Sequence, residues 1–302
     1  MRHIGRVSAP VVFDRSLARR HLRRALAGGY ADFLLRRALD DLDDRLGAVL
    51  RRFPLALDLG TPTGAAAARL VSSERCDRVV RLAPATEAAA GLSVVGDEEA
   101  LPFRDASFDL AVSLLALHGV NDLPGALVQV RRALRPDGLF LACVLGGATL
   151  TELRQAFAAA EAEIEGGVSP RVAPFADVRD FGALLQRAGF ALPVTDVESV
   201  AVRYADLFGL MRDLRAMGLT NALAERRRTP LRRATLLRAA ALYAERFADG
   251  DGRVRATFEI VWLSGWAPHE SQPKPLRPGS ARTRLADALG VTEQSLGEKA
   301  GG

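Results

Sequence analysis

The sequence predicts an α/β fold: a doubly wound, mostly parallel, seven-stranded sheet with helices on both faces. Three observations carry that expectation. Short apolar runs alternate with helix-patterned segments through the first half, the pattern of successive strand–helix–strand units. Residues 55–64, "LALDLGTPTG", lead a buried run through a small turn into the alanine-rich "AAAARLV". Two longer alternating runs, "PVTDVESVAVRY" and "VRATFEIVWLSGW", follow among helices in the second half.

The elements follow in order. Residues 13–52 place Leu, Ala and Phe on one stripe and Arg and Asp opposite, as amphipathic helices do. "LALDLG" reads as a buried strand, "GAAAARLVSS" as a helix, "RVVRLA" as a strand, "TEAAAG" as a weak helix and "LSVVGD" as a strand. "FDLAVSLLAL" is a strongly apolar strand, and "LPGALVQVRRAL" a helix ended by the turn "RPDG" before the strand "LFLACVLG". "TLTELRQAFAAAEAEIEGG" is a helix with a glycine stop, and "DVRDFGALLQRAGF" a helix closed by Gly189. "ADLFGLMRDLRAMG" and "RRATLLRAAALYAERFA" are helices that flank a basic loop at Arg226, Arg227 and Arg228. The chain divides into an N-terminal helical segment (1–52), a sheet domain (53–267) and a tail (268–302). The tail's Pro, Ser, Gly and charge mark it as flexible or ordered on contact.

The totals bound the function. At 302 residues, with 49% hydrophobic and 25% charged residues, the chain has an ordinary globular balance and enough length for a real core. No apolar run reaches the roughly 18–20 residues of a membrane span. Net charge is +5, carried almost wholly by arginine, since lysine occurs only at Lys274 and Lys299. Most of that arginine reads as solvated helix faces; an acidic protein partner or a membrane surface is the sharper reading. No basic patch interleaved with aromatics supports nucleic-acid binding. Cys76 and Cys143 lack disulfide or zinc spacing and read as core thiols of a reducing compartment. The Arg-rich start lacks the apolar core of a secretory signal and runs straight into a helical pattern, which argues against a transit peptide.

Candidate ligand stations fall at the carboxyl ends of the strands. Gly60 and Gly64 bring backbone and a helix start near a ligand, and Asp58 can accept from the turn or from a ligand amine. The plain alternative is a strand-to-helix turn in which Thr61 caps the helix and Pro62 takes its first position. A ribose-binding acid is expected about 20 residues past such a loop. Ala83 and Pro84 stand there instead, and Glu87 comes late. Asp97, in "GDEEALPF", is placed to accept from an exocyclic adenine amine, or is a solvated turn acid. His118 alone of the four histidines lies at the ligand edge, and a general-base role competes there with a structural one. No nucleophile triad, metal cluster or phosphate-binding Lys loop is present in the sequence, which leaves metal-free group transfer or no chemistry.

Taken together, "LALDLG…G", "DEEALPF", "FDLAVSLLALHGVNDLPGAL" and "LRPDGLFLA" resemble the class I S-adenosylmethionine-dependent methyltransferases, whose fold is Rossmann-like. One branch is more similar: the methyltransferase-like assembly factors of respiratory complex I (NADH:ubiquinone oxidoreductase). The strings "VFDRSLARRHLRRA", "EGGVSPRVAPFADVRDFGALLQRAGF", "LMRDLRAMGLTNAL" and "WLSGWAPHESQPKPLRPGSA" carry that resemblance, which spans roughly residues 12–281. It implies that Asp58, Gly60 and Gly64 shape the methionine end of an S-adenosylmethionine site. Asp97 would sit by the adenine with Glu98 adjoining, Leu114 would line the pocket, and the helices of 204–248 would form a lid.

The chain departs from the family pattern at three places. Pro62 replaces the middle glycine of the loop, Ala83 replaces the ribose acid, and Gly119 replaces an aromatic. Loss of the ribose acid, at about 1.5–3 kcal/mol for hydrogen bonds to a charged group, would weaken cofactor binding by about one to two orders of magnitude.

Two functions follow from the resemblance. One is an enzyme acting on a protein side chain, possible client a complex I subunit, by methyl transfer or by arginine hydroxylation as in a mitochondrial relative. The other is a non-catalytic assembly chaperone with a degenerate cofactor site. A biotin-pathway carrier-protein carboxyl methyltransferase is a further alternative. The expected location is the bacterial cytoplasm, at or near the inner membrane face.

Overall fold

The computed structural model describes residues 11–89 and 91–273. Of these, 11–268 belong to one compact unit. His269–Pro273 belong to a second, in which the His269 ring meets Ser271 Oγ at 2.7 Å. The tail from 274 onward, expected to be flexible, lies outside the described residues.

Seven strands form one sheet: β1 (Phe53–Leu59), β2 (Cys76–Ala83), β3 (Ser93–Val95), β4 (Phe108–Leu114), β5 (Leu134–Leu145), β6 (Ala191–Tyr204) and β7 (Val254–Trp266). Their order is β3-β2-β1-β4-β5-β7-β6. β1 to β5 run parallel, and β7 lies antiparallel between β5 and β6. The expected seven-stranded, mostly parallel α/β sheet is what forms. The order turns back at β1 and β4, and such a switch point opens a crevice at the carboxyl ends of the strands. β4 is buried along its whole length, as a central parallel strand must be.

Eight helices surround the sheet among the described residues: α1 (Arg15–Ala27), α2 (Phe33–Gly47), α3 (Ala65–Ser72), α4 (Leu123–Ala133), α5 (Thr151–Glu165), α6 (Val178–Arg187), α7 (Leu207–Ala216) and α8 (Arg233–Phe247). α2 and α3 cover one face with Leu35, Leu39, Leu42, Ala66 and Leu70. α4 and α6 cover the other with Leu127, Val130, Phe181 and Leu185. α5, α7 and α8 gather a third cluster around Phe157, Leu210, Tyr243 and Phe258. The stop after α5 is Gly166, which takes φ +69°, a left-handed value that favours glycine.

Local differences from the sequence reading have physical reasons. "TEAAAG" forms only a three-residue 3-10 turn at Thr86–Ala88, because the Arg81 side chain takes the Ala88 carbonyl that a longer helix would use. α3 starts at Ala65 with Gly64 as its N-cap, as "GAAAARLVSS" implied, so the alternative with Thr61 as cap and Pro62 first does not form. The Thr61 hydroxyl instead accepts from the Leu114 N–H at 3.2 Å, tying the loop to β4. "RPDG" is absorbed into β5 as an irregularity: Asp137 has φ +62°, and the pairing with β4 slips between Phe108 and Leu110. β6 is an edge strand guarded by charge, with Arg37 on Glu198 and Arg45 on Asp196. Among the described residues no helix is long and apolar enough to cross a membrane.

Candidate functional site

The switch point holds a cavity of about 380 Å³. Its floor is the β1–α3 turn at Gly60 and Pro62, and its sides include Glu98, Leu115, Ala116 and His118. α1 closes one flank with Arg15 and Arg19, and the stretch from α7 to Leu231 closes another with Met211, Leu214 and Leu223. The segment expected to act as a lid therefore borders the cavity.

Gly60 stands at φ +72°, and a Cβ there would lie 2.7 Å from Glu98 Oε1 and 3.2 Å from Ala116 Cβ. Bare backbone is required at this point, both by the dihedral and by the close approach of Glu98. The turn is fastened from behind. Asp58, wholly buried at the end of β1, is level with Arg81 of β2 in the strand register. Arg81 Nε donates to Asp58 Oδ2 at 2.7 Å, and its Nη2 donates to the carbonyls of Thr61 at 2.8 Å and Thr63 at 2.6 Å. One guanidinium thus neutralises a buried acid and satisfies two loop carbonyls that no helix or strand would pair. Burial pushes the Asp58 carboxyl up from the usual aspartate range, while Arg81 and Thr61 oppose the rise.

The second acidic station is held by α1. Arg15 Nη2 donates to Asp97 Oδ1 at 2.8 Å and also to Glu98, and Arg15 Nη1 donates to the Gly119 carbonyl at 3.0 Å. Arg19 pairs with the other Asp97 oxygen. Burial works to raise the Asp97 carboxyl, but the Glu99 N–H with Arg15 and Arg19 outweighs it, so the group lies below the usual range. The segment before α1 is clamped in turn: the Val12 and Phe13 N–H groups both donate to Asn121 Oδ1 at 2.8 Å. Of the basic loop, Arg226 pairs with Asp14 at 3.2 Å and Arg227 with Glu165 at 3.0 Å, so two of its three arginines are committed inside the chain.

His118 lies against Phe175 edge-on, with ring centroids 5.6 Å apart. Burial pulls its pKa down to about 4, so the imidazole is neutral near pH 7. Its Nδ1 accepts from the Leu145 N–H at 3.5 Å, which favours the proton on Nε2. In that tautomer the ring offers a donor rather than a base. Cys76 and Cys143 are buried and unpaired, and burial pushes both thiols up to about 12. Among the described residues no cluster of His, Cys, Asp or Glu could hold a metal ion.

Of the residues singled out in the sequence, Gly60, Glu98 and His118 line the cavity together. Asp58 and Leu114 are wholly buried beside it, with Leu115 reaching the cavity instead. Gly64 is the N-cap of α3, and Asp97 is not among the residues that line the cavity but is bonded by Arg15 and Arg19. The reading missed Arg81, Arg15 and Arg19. For Arg81 a signal was present: an arginine inside "VVRLA", on a strand with both faces covered, needs a buried acid, and Asp58 is the acid in the neighbouring run.

Known proteins fit this geometry. A profile described as "Methyltransferase domain" matches residues 57–142, the part that carries the loop and β4. "Arginine-hydroxylase NDUFAF5, mitochondrial" of Danio rerio is 42% identical over 288 residues, covering 91% of this chain and 89% of that protein. "Malonyl-[acyl-carrier protein] O-methyltransferase" of a Methylovorus species is 35% identical over 298 residues, covering 92% and 98%. The crystal structure of the YcgJ protein from Bacillus subtilis superposes with a TM-score of 0.53 over 78% of this chain and 99% of its own, and at 15% identity it speaks for the fold alone. With relatives of this identity matched along most of their length, the chain belongs to the class I S-adenosylmethionine-dependent methyltransferase superfamily, on the branch that holds the NDUFAF5 proteins.

Proposed function

We propose that the protein binds S-adenosylmethionine in the switch-point cavity and acts on an arginine side chain of a protein client, in the assembly of respiratory complex I. The observation that carries this reading is the 42% identity to an arginine-hydroxylase over 89% of that relative's length. The cavity is compatible with it. Its volume of about 380 Å³ suits a nucleoside-sized ligand. The bare backbone of Gly60 and the Glu98 carboxylate face the same space, and Glu98 suits the ammonium group of a zwitterionic amino-acid end. When bound, the cofactor supplies an electrophilic methyl group on a sulfonium. The chain's own part is positioning: Gly60 and Glu98 hold the amino-acid end, Leu115 and Ala116 line the wall, and Asp97 receives the adenine. Asp58 and Gly64 act from behind, by fixing the turn and starting α3, and Leu114 by backing the wall. His118, neutral and with a proton on Nε2, orients a polar group by donation. α7 and the loop to Leu231 exclude water from the centre.

A specific observation favours a second reading. Asp97 is already bonded by Arg15 and Arg19, Pro62 has no N–H, and Ala83 leaves the ribose end without an acid. A fold kept to hold a client, with the cofactor weak or lost, accounts for all three.

Isothermal titration with S-adenosylmethionine and S-adenosylhomocysteine separates the two. Micromolar binding is expected on the first reading, and absence of binding at millimolar ligand moves the function to the second. Client arginine is then read by mass spectrometry: a gain of one methylene means methyl transfer, and a gain of one oxygen means hydroxylation. Modification of a malonyl carrier protein instead would replace the arginine reading.

A further inference from the structure

A second concavity, of about 410 Å³, lies on the outer side of α1 and α7. Phe208, Met211, Arg212 and Arg215 recur on α7 at the spacing that puts side chains on one face, and His21 and Arg24 do the same on α1. Phe208 and Met211 give it apolar surface, with three arginines around them. Among the described residues Arg24, Arg212 and Arg215, like several other arginines, pair with no carboxylate, and none of the groove's lining residues is acidic. Burial holds the His21 pKa below the usual histidine value; its bond to the Thr220 carbonyl opposes this, and Arg24, Arg20 and Arg226 add smaller lowering effects. Met211 and Thr220 line both this groove and the central cavity, so the two adjoin.

We propose that the α1–α7 groove is the docking site for an acidic segment of the polypeptide client, which seats carboxylates on Arg24, Arg212 and Arg215 and an apolar side chain on Phe208. The inference rests on the reading that the protein acts on a polypeptide. Charge complementarity selects the occupant. A concave trough with an apolar floor and cationic walls matches the side chains of one acidic strand or helix, whereas a bilayer or a nucleic-acid duplex would need a broader convex or flat basic surface. Arg24 and Arg215 also stand in the last turns of their helices, where they complement the local dipole, but that role gives no reason for Arg212 or for the apolar floor.

The test uses the full chain and a fluorescein-labelled peptide of alternating glutamate and leucine with one central arginine, beside a lysine-for-glutamate version. The glutamate peptide should bind, weaken as salt rises, and lose at least about tenfold in affinity when Arg24→Glu, Arg212→Glu and Arg215→Glu are combined. The corresponding three lysine substitutions should retain most of the binding. A melting curve and S-adenosylmethionine titration of the reversed variant check that the fold and the central cavity are unchanged. Equal binding by the reversed variant, equal binding of the lysine peptide, or phosphatidylglycerol vesicles that displace the glutamate peptide would each overturn the proposal. If the peptide binds through these arginines while its arginine is never modified and no cofactor binds, the groove stands and the enzymatic reading falls.

Discussion

The Asp58–Arg81 pair and the cluster of Arg15 and Arg19 on Asp97 and Glu98 bear on the same Gly60 turn, yet water reaches them differently. Arg81 and Asp58 are 1% and 0% exposed, whereas Arg15, Arg19 and Asp97 are 18%, 35% and 33% exposed, with only Glu98 of that cluster buried, at 5%. The first pair belongs to the architecture: it cannot open without leaving a charge in the core. The second can exchange partners, because water and a ligand compete for the same carboxylate. Sequence alone makes both look like cofactor acids, and burial is what divides them into a fixed brace and a replaceable clasp.

The largest expected effect comes from breaking the brace. Arg81→Ala leaves Asp58 buried without its partner and should cost about 3–5 kcal/mol in urea unfolding. The double variant Arg81→Leu with Asp58→Leu should recover only part of that loss, because the Thr61 and Thr63 carbonyls stay without a donor. A cost in the single variant below about 1 kcal/mol would place the pair with exposed ones.

The next effect is a pH dependence. His118 has a folded pKa of about 4 against an ordinary value of 6.5, so the unfolded chain takes up the proton first. Its contribution to stability is complete above pH 6.5, falls as pH drops toward 4, and levels off below. The upper bound is about 3 kcal/mol, reduced because His118 keeps some surface open to the cavity. His118→Gln should flatten that slope.

Gly60→Ala sharpens the comparison from the turn between the two acids. The forced φ of +72° and the contact with Glu98 should cost about 1–3 kcal/mol. Cofactor titration and melting of this variant report the site and the fold separately. The smallest stability effect belongs to the clasp. Arg19→Ala, which leaves Arg15 on the buried Glu98, should change stability by about 1 kcal/mol or less. It should also raise S-adenosylmethionine affinity severalfold by freeing the Asp97 oxygen that Arg19 holds; unchanged affinity would remove Asp97 from the adenine end.

The strands and helices were legible because their signals are local. Apolar runs, alternation and glycine stops placed all seven strands and the β1–α3 turn at residues 60–64. What was not legible depends on register and on distant segments. That Asp58 faces Arg81 follows from the level pairing of β1 with β2, and a string of letters does not give the level. That Asp97 meets Arg15 follows from α1 folding back more than eighty positions along the chain onto the β3–β4 loop. α3 begins where "GAAAARLVSS" put it, and the alternative start at Pro62 fails for a similar reason: Thr61 bonds to β4 rather than capping a helix.

The antiparallel insertion of β7 has a consequence for the order of synthesis. β5 and β6 lie on either side of a strand that leaves the ribosome after both of them. A nascent chain that has reached Tyr204 can pair β1 to β5 among themselves, while β6 has no neighbour until residues 254–266 arrive. A ribosome stalled or a message truncated before that point releases a protein with two unsatisfied strand edges, one of them long. Such a fragment is a substrate for chaperones and an aggregation hazard, so the last strand acts as a checkpoint on completion of the whole sheet.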